Sequence, residues 1–293
     1  MRNHLKYLFA MTTILAATLA SAKTPKPLVT IELERRATVW PAADQLALPQ
    51  DVSAALADFA KERAHLAEVE QAVKSTARQE AGESPTDQLE KAQAFVRGKR
   101  IVALAALRPA ARTAPQLLVL ADLESEQAQD VYDQAVEAET KAPKLDMRAV
   151  EATCAKAMAA SPDPEVARSL GYLWGMALEA RADAAEAVKR YKLAAEGAPE
   201  PWRSEMLYRI GNLALARDRA GALAAWAQVT ASPWVVYARF RQVQEQVRVG
   251  ACPSANEILV QLQSAPAIVG TSFVEVGTAT AAACKGGKAR PAP

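Results

Sequence analysis

A four-position pattern recurs along the second half of the chain and constrains its fold more than any other feature. A small residue is followed four positions later by a large one, three positions after that by a small or apolar one, and then by a proline. The spacing i, i+4, i+7 places the first three on one face of an α-helix, so the pattern predicts a row of similar helical units. The four copies are Val150, Cys154, Ala157 and Pro162; Ala187, Tyr191, Ala194 and Pro199; Ala222, Trp226, Val229 and Pro233; and Ala255, Leu259, Leu262 and Pro266.

The helices that precede two of these copies also correspond to each other. An apolar residue and a glycine, Trp174-Gly175, occupy the place that Ile210-Gly211 holds in the next unit. A glycine in the middle of a helix costs about 1 kcal/mol relative to alanine. Two such glycines at matching places indicate a close helix crossing that leaves no room for a side chain.

With these residues the chain resembles the tetratricopeptide repeat family, whose units of about 34 residues pair a helix A with a helix B. Arg168–Pro201 matches the family pattern best, and Ser204–Pro233 matches with a shorter turn between its helices. The resemblance implies an α-solenoid in which the A helices line a concave groove that binds peptides or helices. The groove positions that it implies are Tyr172, Met176 and Glu179 in one repeat and Glu205, Tyr208 and Asn212 in the next.

Several prolines predict where helices begin. Proline fits the first helical turn, because the N–H that it lacks has no partner within the helix there. Ser84-Pro85, Asp163-Pro164 and Ser232-Pro233 each place a capping side chain before such a proline. Between these marks the sequence predicts ten or eleven helices and almost no strand. The predicted fold class is therefore all-α, a helical hairpin followed by a tetratricopeptide-like α-solenoid.

The region before the repeats has a different pattern. Residues 23–50 are predicted to form an extended arm, because apolar and polar residues alternate from Val29 to Leu33; a short strand is the alternative. Residues 51–110 are predicted to form the hairpin. Its first helix has apolar residues at coiled-coil spacing, which Arg63 and Glu70 interrupt. Residues 111–284 are assigned to the repeats and residues 285–293 to a disordered tail.

The first 22 residues predict an exported protein. Arg2 and Lys6 precede a short apolar run, and the segment ends in Ala20-Ser21-Ala22, which is the pattern of a cleaved secretory signal. We therefore expect a periplasmic or secreted location. An uncleaved amphipathic anchor is the alternative, and no later segment is apolar enough to suggest a membrane span.

Charge and composition narrow the expected partners. The chain has 35 Lys and Arg against 33 Asp and Glu, and the predicted signal holds two of the basic residues, so the mature chain would be balanced. A nucleic-acid-binding surface needs a basic excess, so we expect a protein or peptide partner and no nucleic acid. The oligomeric state is not indicated.

Catalytic and metal-binding patterns are sparse. His65 is the only histidine outside the predicted signal, and its charged neighbours indicate a surface position. Asp122, Glu126 and Asp130 share one helix face, which is expected to be solvated; the alternatives are a cation cradle and a site for a basic peptide. The glycine-rich phosphate-binding motifs do not occur. We expect no cofactor, no metal and no enzymatic activity.

The three cysteines predict one disulfide. Cys252 precedes one predicted helix and Cys284 ends the next, so a bridge between them would close a loop of about 33 residues and contribute roughly 3–4 kcal/mol. Cys154 takes the large-residue position of its repeat and is expected to be a buried thiol, with a bridge to another chain as the alternative.

The sequence as a whole favours a non-catalytic scaffold or adaptor in a bacterial cell envelope. Tetratricopeptide proteins with a signal serve there in outer-membrane assembly, division and motility machinery. The alternative is an enzyme of cell-wall turnover with a helical body, which would need a buried catalytic acid in a deep pocket.

Overall fold

The computed structural model describes residues 40–75, 85–138 and 144–263, and within these ranges the secondary structure is entirely α-helical. The predicted all-α class is confirmed. The predicted signal, residues 23–39 of the arm, Cys284 and the tail lie outside the described residues. The helices are α1 Ala43–Leu46, α2 Gln50–Ser75, α3 Pro85–Ala110, α4 Ala114–Glu137, α5 Arg148–Ala159, α6 Pro164–Ala180, α7 Ala184–Ala195, α8 Trp202–Ala214, α9 Arg219–Ala227, α10 Trp234–Arg248 and α11 Cys252–Gln263.

The described residues form two compact units. Residues 40–198, with α1 to α7, make up the N-terminal unit, and residues 199–263, with α8 to α11, make up the C-terminal unit. The boundary falls inside the region predicted as one run of repeats. In each unit, helices that follow one another in sequence pack together, as expected for solenoid-like packing.

The hairpin consists of α2 and α3, two helices of 26 residues each. Val52, Leu56, Phe59 and Leu66, which have the predicted coiled-coil spacing, are buried. Arg63 interrupts that spacing. Its guanidinium stacks over the Phe59 ring, 5.1 Å from the ring centroid. A charged residue is thus accommodated within the packed face by a cation–π contact.

The segment before the hairpin is not extended throughout its described part. Ala43–Leu46 makes one helical turn, and α2 already begins at Gln50. The carbonyl oxygen of Leu46 accepts a hydrogen bond from Gln116 Nε2 at 2.6 Å. This bond and the burial of the Leu46 side chain hold the segment on α4.

Helix α4 is the centre of the N-terminal unit. It contacts α3, α5 and α6, and residues 116–125 are buried on every side. Helix α6 begins as the sequence predicts, since the Asp163 carboxylate accepts hydrogen bonds from the N–H groups of Glu165 and Val166 at 3.0 Å each. Ser232 does not cap α10, which begins one residue later than expected, with Pro233 at the N-cap position.

The C-terminal unit is held by side-chain bonds between neighbouring elements. Ser204, fully buried near the start of α8, accepts hydrogen bonds at its Oγ from the N–H groups of Thr230 and Ala231, which follow α9. Gln242 on α10 donates to the carbonyl oxygen of Leu223 on α9 at 3.2 Å. These bonds fix α8, α9 and α10 relative to one another.

Candidate functional site

The pair α6–α7 contains the close crossing that the sequence predicts. A Cβ atom placed on Gly175 would lie 2.6 Å from the ring of Tyr191, which is far inside van der Waals contact. Tyr191 is fully buried, and its hydroxyl donates a 2.7 Å hydrogen bond to Glu179 Oε2. The missing side chain of the glycine therefore makes room for the aromatic ring of the following helix.

The pair α8–α9 repeats this arrangement in the C-terminal unit. A Cβ atom on Gly211 would overlap the indole ring of Trp226, which is fully buried. Trp226 Nε1 donates to the carbonyl oxygen of Tyr208 at 3.2 Å. In both pairs a glycine of the first helix receives an aromatic ring of the second, and the polar atom of that ring bonds back to the first helix.

Three of the predicted groove residues lie on α6. Tyr172, Met176 and Glu179 are half-buried, so each keeps part of its surface accessible. The ring of Tyr172 lies 6.2 Å from that of Tyr191, and Glu179 accepts the Tyr191 hydroxyl. Tyr172 and Glu179 thus contact Tyr191 of the following helix, and all three predicted groove residues keep part of their surface exposed.

The other three predicted groove residues lie on α8, in the separate C-terminal unit. Asn212 is half-buried, whereas Glu205 and Tyr208 are only 4% and 6% exposed. Glu205 accepts a hydrogen bond from Arg209 Nε at 2.9 Å. Tyr208 packs under Trp234 and Tyr237 of α10. Of the three, Asn212 is the residue with most of its surface left for contact.

Trp234 and Tyr237 form an aromatic cluster with Tyr208 that was not predicted from the sequence. The ring centroids lie 5.5 Å apart for Tyr208 and Trp234, 5.9 Å for Tyr208 and Tyr237, and 6.0 Å for Trp234 and Tyr237. Burial is the main cause that raises the pKa of Tyr237 well above its ordinary value, and the neighbouring Tyr208 contributes to the same shift. The Ser232-Pro233 mark could have located the cluster, since it places two aromatic residues on one face of the first turn of α10.

The shared acidic face of α4 is not a solvated face. Asp122 is 5% exposed and accepts a 2.6 Å hydrogen bond from the indole N–H of Trp40. Glu126 pairs with Arg63 and Arg100, and Asp130 pairs with Arg100 and Arg97. Because the chain's own groups engage all three carboxylates, the expectation of a solvated face is wrong, and neither alternative, a cation cradle or a basic-peptide site, is supported.

An open cleft of about 450 Å³ lies in the N-terminal unit, where the segment before α2 meets the first turns of α4 and α6. One of its two carboxylates, Asp163, is already the cap of α6. The other, Glu165, is exposed. The residues that line the cleft are Trp40, Pro41, Ala42, Gln45, Pro115, Asp163, Glu165 and Val166.

The described cysteines differ in state. Cys154 is a free thiol buried at the large-residue position of its repeat. Burial is the main cause that raises the pKa of the Cys154 thiol far above its ordinary value, and the nearby Glu124 carboxylate adds to it. The reactive thiolate form is therefore suppressed. Cys252, the first residue of α11, is disulfide-bonded. Its predicted partner, Cys284, lies outside the described residues, so that pairing stays a prediction.

Other chemistry-bearing groups do not assemble within the described ranges. His65 is 61% exposed, and its Nδ1 lies 3.6 Å from Glu68. In the part of the chain that the structure describes, no three His, Cys, Asp or Glu side chains come together as a set of metal ligands. None of the described helices combines the length and the apolar character that a bilayer span requires.

Comparison with known proteins returned no match to a family model, to a curated protein or to a solved structure. The resemblance to the tetratricopeptide family therefore rests on the residues of this chain alone.

Proposed function

We propose that this protein is a non-catalytic scaffold or adaptor of the tetratricopeptide type that binds a protein or peptide in a bacterial cell envelope. The observation that carries the proposal is the repeated glycine–aromatic crossing in α6–α7 and α8–α9. In the family that the sequence resembles, such crossings join helix A to helix B within a repeat. The A helices are then α6 in the N-terminal unit and α8 in the C-terminal unit, and the outward residues of each form a binding surface in its own unit.

The accessible residues of these helices have suitable chemistry for peptide recognition. Tyr172 supplies a large aromatic contact with a polar end, Met176 supplies an adaptable apolar contact, and Asn212 can pair with an extended backbone. In the C-terminal unit the half-buried Tyr237 of α10 supplies an aromatic contact of its own. Buried Tyr208 contributes by holding Trp234 and Tyr237 in place.

The proposed location is the periplasm, with outer-membrane assembly, division or motility machinery as the processes served. The signal-like start of the sequence and the disulfide at Cys252 support it, because disulfides form and persist in oxidising compartments. Thiol labelling of the unfolded, non-reduced protein is expected to find one thiol per chain, that of Cys154. Three thiols would contradict both the bridge and the location.

The binding surface is tested by affinity capture from envelope extracts with quantitative mass spectrometry. Tyr172→Ala and Asn212→Ala are expected to lose at least one partner that the wild type captures. Matched controls are Lys192→Ala and Arg217→Ala, which change exposed residues of α7 and of the turn after α8. Equal capture by all four variants would contradict the proposal, as would turnover of purified peptidoglycan by the wild type.

A further inference from the structure

The outer face of α3 carries a continuous stripe of exposed apolar residues. Phe95, Ile101 and Val102 are 60%, 53% and 57% exposed. Among the described helices no other exposes more than one large apolar side chain. Scattered single residues of this kind need no explanation, but a contiguous set marks an interaction site. The set, named the α3 stripe, consists of Ala94, Phe95, Gly98, Ile101, Val102 and Ala105, all exposed.

The α3 stripe is centred on Gly98. With 3.6 residues per turn, its other members lie within about 60° of Gly98 around the helix, and the stripe is about 16 Å long. Two of its members lie three residues from Gly98 on either side, Phe95 and Ile101, and two lie four residues away, Ala94 and Val102. The spacing of these four is therefore symmetric about the glycine, whereas Ala105, seven residues after it, has the exposed Lys91 as its counterpart seven residues before it.

No described residue explains the glycine at position 98. A Cβ atom placed there would meet no atom within 4 Å, whereas a Cβ on Gly175 or Gly211 would clash with a packed aromatic ring. A glycine at mid-helix lowers helix stability relative to alanine. Such a residue is useful where another backbone approaches closely from outside, and the surrounding apolar side chains indicate that the approaching group is apolar.

We propose that the α3 stripe pairs with the α3 stripe of a second copy of this chain, in an antiparallel crossing on a two-fold axis at Gly98. In this arrangement Phe95 of each copy lies beside Val102 of the other, and Ala94 lies beside Ile101. A two-fold interface of this kind uses the same patch on both copies, which the symmetric spacing allows. The missing side chain at the axis lets the two helices approach closely.

Charges at the ends of the stripe favour the antiparallel direction. Asp87 and Glu90 are exposed before the stripe. Arg108 follows it, and its side chain is 59% exposed although it pairs with Glu124 of its own chain at 3.1 Å. An antiparallel crossing brings Arg108 of one copy next to Asp87 and Glu90 of the other, whereas a parallel crossing keeps them at opposite ends. Near the axis, the charge of Lys99 is neutralised by Asp58, 3.0 Å away, and Arg97 is paired with Asp130.

The expected interface is small. Two helices that cross over about three turns bury roughly 1,000 Å² in total, at the low end of specific interfaces, so a dissociation constant in the micromolar range is expected. The inference goes beyond the proposed binding function and does not depend on it. A dimer would carry two copies of the partner-binding surface.

Sedimentation velocity of the full purified protein, over concentrations from about 1 to 100 μM, tests the proposal because this range brackets a micromolar dissociation constant. The wild type is expected to shift from monomer to dimer. Gly98→Leu and Phe95→Glu are expected to weaken dimerisation at least tenfold, and Val260→Ser, which changes an equally exposed apolar residue outside the stripe, is expected to leave it unchanged. Gly98→Leu should not lower the melting temperature, since no residue in the described part of the chain lies within 4 Å of a Cβ atom at that position.

Disulfide crosslinking tests the direction of the helices. A mixture of Phe95→Cys and Val102→Cys chains is expected to crosslink faster than either variant alone. A protein that stays monomeric throughout would overturn the proposal, as would a dimer that survives both Gly98→Leu and Phe95→Glu. Faster crosslinking of Phe95→Cys with itself would overturn the antiparallel arrangement.

Discussion

The α2–α3 hairpin and the pairs α6–α7 and α8–α9 both place glycine in the middle of a helix, with different consequences. In the pairs, Gly175 and Gly211 receive Tyr191 and Trp226, so the lost helix stability is offset by a close internal contact. In the hairpin, no described residue lies within 4 Å of a Cβ atom placed on Gly98. A mid-helix glycine is therefore explained only by what packs against it, and the two regions should respond oppositely to the same substitution.

The largest effect is expected from removing the aromatic side of the contact. Trp226→Ala and Tyr191→Ala each leave a cavity beside a glycine that cannot fill it, so the free energy of unfolding of the affected unit should fall by about 3–5 kcal/mol. Urea unfolding followed by circular dichroism measures this loss. Leu193→Ala, an exposed position on α7, is the control and should change the free energy by less than about 0.5 kcal/mol. Similar small losses in all three variants would show that the buried aromatic rings do not stabilise the crossings.

Replacing the glycines of the two pairs by alanine is expected to lower the free energy of unfolding by less than removing the aromatic rings does. Gly175→Ala and Gly211→Ala force a methyl group into the ring of Tyr191 or Trp226, and overpacking of this kind lowers the free energy of unfolding by roughly 1–3 kcal/mol. The same urea experiment applies. A gain in stability in either variant would show that the ring moves aside at no cost, and the glycine would then have no packing role.

The hydrogen bond from the Tyr191 hydroxyl to Glu179 at the α6–α7 crossing is expected to contribute still less to the free energy of unfolding. Tyr191→Phe keeps the ring but leaves the half-buried Glu179 without the hydroxyl donor, which should lower the free energy of unfolding by about 1 kcal/mol. A double-mutant cycle with Glu179→Ala isolates this interaction from the loss of either group. Additive losses in the cycle would mean that the bond does not contribute.

The smallest effect, and one of opposite sign, is expected in the hairpin. Gly98→Ala should raise the free energy of unfolding by up to about 1 kcal/mol, because alanine favours the helix and meets no neighbour at this position. Thermal and urea unfolding at low protein concentration, where the monomer dominates, measure the gain. A loss of stability there would indicate an internal contact at Gly98 and would remove the contrast between the two regions.

Local features of the fold could be predicted from the sequence because short-range physics determines them. The close crossings at Gly175 and Gly211 follow from a glycine at fixed spacing before a small–large–small face. The capped start of α6 follows from an aspartate before a proline. The buried state of Cys154 follows from its place in the pattern. Each of these depends on residues within about one repeat.

Features that depend on distant partners could not be predicted. Tyr172 and Tyr208 hold the same position in their repeats, but Trp234 and Tyr237 of a later helix cover only Tyr208. The acidic face of α4 would be solvated on an isolated helix. It is engaged because Arg63, Arg97 and Arg100 lie on the hairpin that packs against it. Three-dimensional neighbours, rather than local pattern, decide which side chains stay accessible.

We propose that the A helices α6 and α8 bind a protein partner while the B helices α7 and α9 support them. Site-specific photocrosslinking in living cells tests it most directly, with a benzophenone side chain at position 172 or 212 and, for comparison, at the exposed positions 192 and 224 of α7 and α9. A discrete crosslinked partner is expected at 172 and 212 and none at 192 and 224. Equal crosslinking at all four positions, or crosslinking confined to the B helices, would contradict it.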